Sequence, residues 1–294
     1  MKTLLDTIGN TPLVQLQKLS PNANVKILAK LEGANPGGSV KDRAAYWMIK
    51  GALDRGEISA KTKIIEATSG NTGIALAMIA GLYGLNIELV MPESATRERM
   101  LMMKSYGAKI SLTPREKFME GAIDYVNENL ESGGYFSLNQ FANPDNVSAH
   151  YDTTGPEIWR DTNGTVTHFV SAMGTTGTII GVSSYLKEQT NDVKIIGVHP
   201  AAGSSIPGIK RWPREYLPKI FDESKVDETF DITQEEAVET ARLLVEREGI
   251  LTGISAGGAC AVALKVAKKL NSGTIVFIAC DRGERYLTSG IFGN

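Results

Sequence analysis

Short, nearly unbroken apolar runs alternate with segments of helical spacing along most of this chain, and that rhythm limits what it can fold into. Residues 64–67 lead to a helical pattern over 71–82, 87–91 lead to 97–106, and 109–112 lead to 117–130. In the second half 168–171 lead to 178–187, with a further strand at 194–198. Residues 235–248 and 255–269 read as helices and 274–279 as a strand. A strand apolar on both sides is buried on both faces, and parallel sheets covered by helices are where such strands occur. The predicted class is therefore α/β, with mostly parallel sheets flanked by helices. At 294 residues there is room for about two domains. The polar stretch 139–154 reads as a loop and as the crossing between them. Residues 200–228, punctuated by Pro207, Pro213 and Pro218, read as a long irregular insertion, the kind of segment that often carries function.

Composition removes several classes of function. The net charge of −2 recommends neither nucleic acid nor an anionic membrane as a partner. The first residues, Met1 to Asp6, meet charge too soon for a signal peptide. The longest apolar helical candidate, 74–85, is too short to span a bilayer and fits a buried core helix. Cys260 and Cys280, the only two cysteines, sit in apolar runs and read as reduced thiols. Three histidines, His150, His168 and His199, with no CxxC or HExxH spacing, predict no metal site.

Against that background Lys41 is the conspicuous residue. It follows the turn Pro36-Gly37-Gly38, with Ser39 as a possible cap, and precedes the apolar residues 44–49, so it falls in the first turn of a helix. That end is already positive. A lysine there is a surface charge or a functional amine, and an amine that gives up its proton readily forms Schiff bases.

Three other segments share this design. Residues 68–73 (TSGNTG), 174–178 (GTTGT) and 255–258 (SAGG) each open a helix with backbone N–H groups, small hydroxyls and glycine. Such helix starts bind anions. Four in one chain suggest a ligand set with at least two anionic groups, a phosphate and a carboxylate. There is no GxGxxG and no GxxxxGK[ST], which disfavours a dinucleotide and excludes a P-loop. Residues 253–257 match the GxSxG elbow of α/β-hydrolases, but all three histidines precede Ser255, the wrong order for that triad. Locally, Ser255 reads equally as a plain helix cap. Phosphate, Schiff-base lysine and substrate carboxylate together describe pyridoxal 5'-phosphate chemistry, with Ser255 a candidate partner for the pyridine nitrogen. A neutral hydroxyl there favours β-elimination or β-replacement over transamination.

The motifs at 8–12 (IGNTP), 35–43 (NPGGSVKDR), 66–73 (EATSGNTG), 153–158 (TTGPEI), 174–178 (GTTGT) and 281–289 (DRGERYLTS), in this order, resemble the O-acetylserine sulfhydrylases, or cysteine synthases, of the fold-type II pyridoxal-phosphate enzymes. GTTGT together with 206–218 (IPGIKRWPREYLP) resembles the B type of that family. The resemblance implies a fold like the tryptophan synthase β-subunit: two twisted α/β domains, a smaller one over 36–145 and a larger one from 1–35 plus 146–294, with an early crossover near 11–32 joining the larger. It implies that Lys41 is the Schiff-base lysine and the acid/base at Cα, and that Asn71 binds the cofactor's 3′ oxygen. Gly174, Thr175, Thr176, Gly177 and Thr178 would hold the phosphate, and Ser255 the ring nitrogen. Thr68, Ser69, Thr72 and Gln140 would bind the substrate carboxylate. The implied reaction is ping-pong: O-acetylserine loses acetate to leave an α-aminoacrylate, to which sulfide or thiosulfate adds, giving cysteine or S-sulfocysteine. A cytoplasmic homodimer is also implied. For thiosulfate the expected contact is Arg211, beside Lys210 and Trp212, and Cys280 is a candidate site-lining residue; Lys210, where the family usually has arginine, keeps the charge without the planar fork. The rival readings are a serine/threonine dehydratase or cystathionine β-synthase-like core, opposed by GTTGT and 206–218, and a non-catalytic protein-binding homologue, opposed by an intact Lys41 and intact anion loops.

Overall fold

The computed structural model describes residues 1–292, so Gly293 and Asn294, at the end of the larger predicted domain, lie outside the described residues. In chain order the elements are β1 (Leu13–Gln15), β2 (Val25–Leu31), α1 (Lys41–Asp54), β3 (Lys63–Ala67), α2 (Asn71–Leu82), β4 (Asn86–Pro92), α3 (Arg97–Ser105), β5 (Lys109–Thr113), α4 (Phe118–Glu131) and β6 (Tyr135–Phe136). Then come α5 (Pro144–Ala149), α6 (Gly155–Asp161), β7 (His168–Ala172), α7 (Gly177–Gln189), β8 (Lys194–Pro200), β9 (Glu228–Ile232), α8 (Gln234–Glu248), α9 (Ile254–Ala267) and β10 (Gly273–Ala279). They form two compact units, one of Lys41–Asn146 and one of Met1–Val40 with Val147–Asn294.

The smaller unit is built on a four-stranded parallel sheet in the order β5-β4-β3-β6. Its helix α2 is apolar all round and buried from Thr72 to Ala80, the state such a helix requires in water. This is the core helix expected from the apolar run. The larger unit has a six-stranded sheet ordered β1-β2-β10-β7-β8-β9, parallel except for the β1–β2 pair. Its central strands are apolar on both faces because both are covered. Ile27, Val198 and Phe277 pack with Leu244 of α8 and Val262 of α9, while Phe169, Val276 and Ile278 pack with Ile179 and Val182 of α7. Each such side chain contributes about 1.5–3 kcal/mol by leaving water. Helices α8 and α9 approach so closely that a Cβ on Gly257 would lie 2.1 Å from the Ala237 carbonyl oxygen.

Both sheets place the start of a helix at the carboxyl end of a parallel strand: β3 runs into 68–72 and α2, and β7 runs into 173–176 and α7. In open α/β sheets that is the end where ligands bind.

Two sequence expectations are corrected. Stretch 139–154 is not a loop throughout; it contains α5, opened by Pro144, and a π turn over His150–Thr154 that runs into α6. Proline at the first position of a helix costs no hydrogen bond. Ser39 does not occupy the capping position, since α1 begins at Lys41 and Ser39 is bridged to Asp281. The insertion has the extent read from the sequence to within a residue at each end, between β8, which ends at Pro200, and β9, which begins at Glu228, and it holds 3₁₀ turns at Arg214–Tyr216 and Glu223–Lys225.

Candidate active site

In the smaller unit Lys41 is the first residue of α1 and half-buried. Asn71 is the first residue of α2, after Gly70 in an extended conformation that offers no side-chain cap. A helix start of this kind is suited to binding an anion. Thr68 and Thr72 are buried, and a Cβ on Gly73 would strike Met103 at 2.7 Å, so the loop has no slack on its inner side. The Thr72 hydroxyl donates to Gln140 Oε1 at 2.8 Å, which brings together two residues 68 positions apart. Ser69 directs its hydroxyl at the Met119 sulfur, 3.5 Å away.

Glu66 supports this arrangement from below. Its buried carboxylate accepts from Ser137 Oγ at 2.9 Å and from the amides of Asn139 and Gln140 at 3.2 and 3.3 Å. Burial raises its pKa in spite of these donors. Asn146 then donates to the Gln140 carbonyl at 2.8 Å. Glu66 lies inside a quoted motif, but its role depends on partners 71 to 74 residues away and had no local signal.

In the larger unit Thr176 adopts a left-handed conformation, φ 71°, and Gly177 opens α7 without a side-chain cap. Thr175, Thr176 and Thr178 are buried. The Thr178 hydroxyl lies 3.2 Å from His150 Nε2, and His150 Nδ1 lies 2.9 Å from Thr154 Oγ1. The insertion crosses this loop. Trp212 Nε1 donates to the Gly174 carbonyl at 2.7 Å and the Lys210 amide to the Met173 carbonyl at 2.8 Å. Gly208, at φ +87°, fits between the loop and α9: a Cβ on Gly174 would be 3.0 Å from the Gly208 oxygen, and a Cβ on Gly208 would be 3.3 Å from Ser255 Oγ. Thus the structure brings Gly174 and Ser255 to the two sides of one glycine. Ser255 is not the helix cap; Gly253 is. The Ser255 side chain is buried, with the Gly208 backbone against its hydroxyl.

Arg211 is exposed and paired with Asp231 of β9, while the Lys210 ammonium lies 4.5 Å above the Trp212 ring. Burial, then the Arg211 charge, lowers the pKa of neighbouring His199. Burial raises that of the Cys260 thiol, deep in the core, whereas Cys280 is partly exposed.

These features fit pyridoxal phosphate: an uncapped α7 start where a side chain at Gly174 would crowd the Gly208 carbonyl, and a buried Ser255 hydroxyl beside the same glycine. Residues 4–281 match the family model described as pyridoxal-phosphate dependent enzyme. The chain belongs to that family. Within it, the chain is 57% identical to cysteine synthase B of Salmonella typhimurium strain LT2, over all of this chain and 97% of that protein. It is 42% identical to cysteine synthase A of Escherichia coli strain K12, over 98% of this chain and 94% of that one. The crystal structure of a cysteine synthase from Entamoeba histolytica superposes with a TM-score of 0.95 at 40% identity, covering 99% of this chain and 90% of that one. This pyridoxal-phosphate dependent enzyme is thus one of the cysteine synthases, with the α/β fold of that group.

Proposed function

We propose that the enzyme carries out β-replacement on O-acetylserine, releasing acetate and forming cysteine with sulfide or S-sulfocysteine with thiosulfate, as a cytoplasmic homodimer. The observation that carries the reaction type is the buried, neutral Ser255 hydroxyl, which shares Gly208 with the Gly174 loop. A hydroxyl facing the ring nitrogen leaves it uncharged, which suits elimination and replacement better than transamination. Bound pyridoxal phosphate supplies the electron sink that makes the substrate's Cα proton acidic.

The chain's own residues take the remaining roles. The N–H groups and hydroxyls of 174–178 hold the phosphate, and Asn71 binds the 3′ oxygen. The uncapped start of α2, with Thr68, Ser69, Thr72 and Gln140, holds the substrate carboxylate. Lys41 would be the lysine that holds the cofactor, and its amine would take the substrate's Cα proton as acetate leaves Cβ with the bonding pair. The sulfur nucleophile then forms the new bond at Cβ, and Lys41 returns the proton to Cα. Arg211, aided by Lys210, recruits the thiosulfate dianion, while Trp212 fixes this segment to the Gly174 carbonyl.

The test is product analysis with O-acetylserine and either sulfide, thiosulfate or homocysteine. Acetate release with cysteine or S-sulfocysteine is expected; no acetate, or product only with homocysteine, overturns the reading. Arg211→Ala is expected to raise the KM for thiosulfate about tenfold, the loss of one charge-assisted contact, and to leave sulfide turnover unchanged. Equal losses with both donors would remove Arg211 from the donor site.

A further inference from the structure

The turn that delivers Lys41 is anchored by nearby residues at Asn35 and gripped from Gly37 to Val40 by a segment from the far end of the chain. At its start Asn35 is fully buried: Nδ2 donates to the Glu32 carbonyl and to Glu32 Oε2 at 3.0 and 2.9 Å, and Oδ1 accepts from the Gly9 amide at 2.8 Å. Arg285 then donates from Nη2 to the Gly37 carbonyl. The Arg282 amide donates to the Gly38 carbonyl at 3.3 Å, and its guanidinium to the Gly33 carbonyl at 2.6 Å. Ser39 is bridged to Asp281, and the Val40 amide donates to the Cys280 carbonyl at 2.8 Å. The next residue is Lys41.

The gripping segment is itself braced on the residues before α9. The Thr252 hydroxyl donates to the Asp281 carbonyl at 2.9 Å, the Gly283 amide to the Leu251 carbonyl at 3.2 Å, and the Tyr286 hydroxyl to Asp281 Oδ2 at 2.7 Å. A Cβ on Gly253, which caps α9, would meet Asp281 Oδ1 at 2.2 Å. One segment therefore ties the backbone leading to Lys41 to the helix start that carries Ser255.

We propose that residues 281–286 are a clamp that fixes where Lys41 begins its helix, and that Arg285 is the positioning residue within it. The Arg282 amide and the Cys280 carbonyl hold Gly38 and Val40 through backbone bonds, whereas the Gly37 carbonyl is held by the Arg285 guanidinium. Gly38 sits at φ +83°, and a Cβ there would lie 2.6 Å from Arg285 Nη2. The glycine admits the arginine as well as the turn. A proton transfer at Cα depends steeply on placement, and an error of about 1 Å costs on the order of a hundredfold. The inference rests on Lys41 being the cofactor's lysine.

The experiment uses the full-length holoenzyme with Arg285→Ala, Arg285→Lys and Gly38→Ala. Arg285→Ala is expected to lower kcat about tenfold while the KM for O-acetylserine stays within about twofold. Deuterium uptake should rise in a peptide over 36–41 and not in one over 174–178, and Arg285→Lys should recover part of kcat. Should Arg285→Ala fail to fold, Gly38→Ala displaces the guanidinium from the same carbonyl and carries the same expectation. Wild-type kcat in either variant, or exchange that rises across the whole chain, overturns the clamp. Borohydride reduction separates the two claims. A label on a residue other than Lys41 sinks the reading of Lys41. A label on Lys41 with an unaffected Arg285→Ala enzyme sinks the clamp alone.

Discussion

The helix starts at Asn71 and Gly177 share a plan, each at the end of a parallel strand and each without a side-chain cap, yet they are supported in different ways. The Gly177 start is tied down through its own loop backbone: Gly208 sits against Gly174, and the carbonyls of 173 and 174 accept from the Lys210 amide and the Trp212 indole. The Asn71 start is lined by side chains, with Thr72 on Gln140 and Ser69 on Met119. A loop whose own carbonyls are held makes a fixed cradle suited to a group that stays bound. Side-chain packing makes a site that can exchange one set of hydrogen bonds for another, as a substrate that comes and goes requires.

The largest effect expected touches neither start. Lys41→Ala should reduce kcat by about a thousandfold or more, the scale of a lost acid–base group, while protein-bound phosphate measured after dialysis shows the cradle still filled. Loss of phosphate in parallel with activity would mean that the cradle does not hold the cofactor by itself. Next in size is a crossed pair. Gly174→Ala pushes a methyl toward the Gly208 oxygen and should weaken cofactor binding about tenfold, with little change in the KM for O-acetylserine. Gln140→Ala leaves the Thr72 hydroxyl without its acceptor and should raise that KM about tenfold, with little change in cofactor retention. If both variants shift both constants, the division between cradle and exchangeable site is wrong.

The smallest effects concern the strands beneath. Burial raises the Glu66 carboxyl above its ordinary 4.5, so its contribution to stability is full below that pH and is lost as pH rises through the folded value. Burial lowers His168 below its ordinary 6.5, so its contribution is present above that pH and is lost as pH falls through the folded value. Melting temperatures of Glu66→Gln and His168→Gln, each set against wild type from pH 4 to 8, should diverge in opposite directions, by no more than about 1.4 kcal/mol per pH unit. Parallel curves would show that the two groups do not titrate independently on folding.

Much of the fold was legible because its central strands are buried on both faces, and such strands announce themselves; α2 begins and ends where its apolar pattern does. What escaped were elements that borrow their burial from distant residues. In β2 the sequence VKILAKL has lysines at its second and sixth positions; Lys26 is exposed, but Lys30 is fully buried because Glu157 pairs with it at 2.7 Å and the Thr11 carbonyl accepts from it at 2.6 Å. Strand β9, ETFDI, is an edge strand exposed along most of its length, so it lacks an apolar signature. For the candidate site, Lys41 and the glycine-rich starts stood out in the letters. The contacts of Gly208, Glu66 and Arg285 did not, since each joins segments far apart in sequence.

The pairing of β2 with β10 has a consequence for the order of events as the chain is made. All seven residues of β2 find partners in Gly273–Ala279, about 250 positions later, and β2 lies between β1 and that last strand. A ribosome therefore exposes Met1–Val40 long before their sheet can be completed, whereas Lys41–Asn146 is one continuous stretch with all four of its strands in hand by mid-synthesis. The smaller unit can mature while the chain is still growing. The larger must keep its first strands waiting, and the two lysines of β2, Lys26 and Lys30, keep that waiting edge from becoming a continuous sticky ribbon.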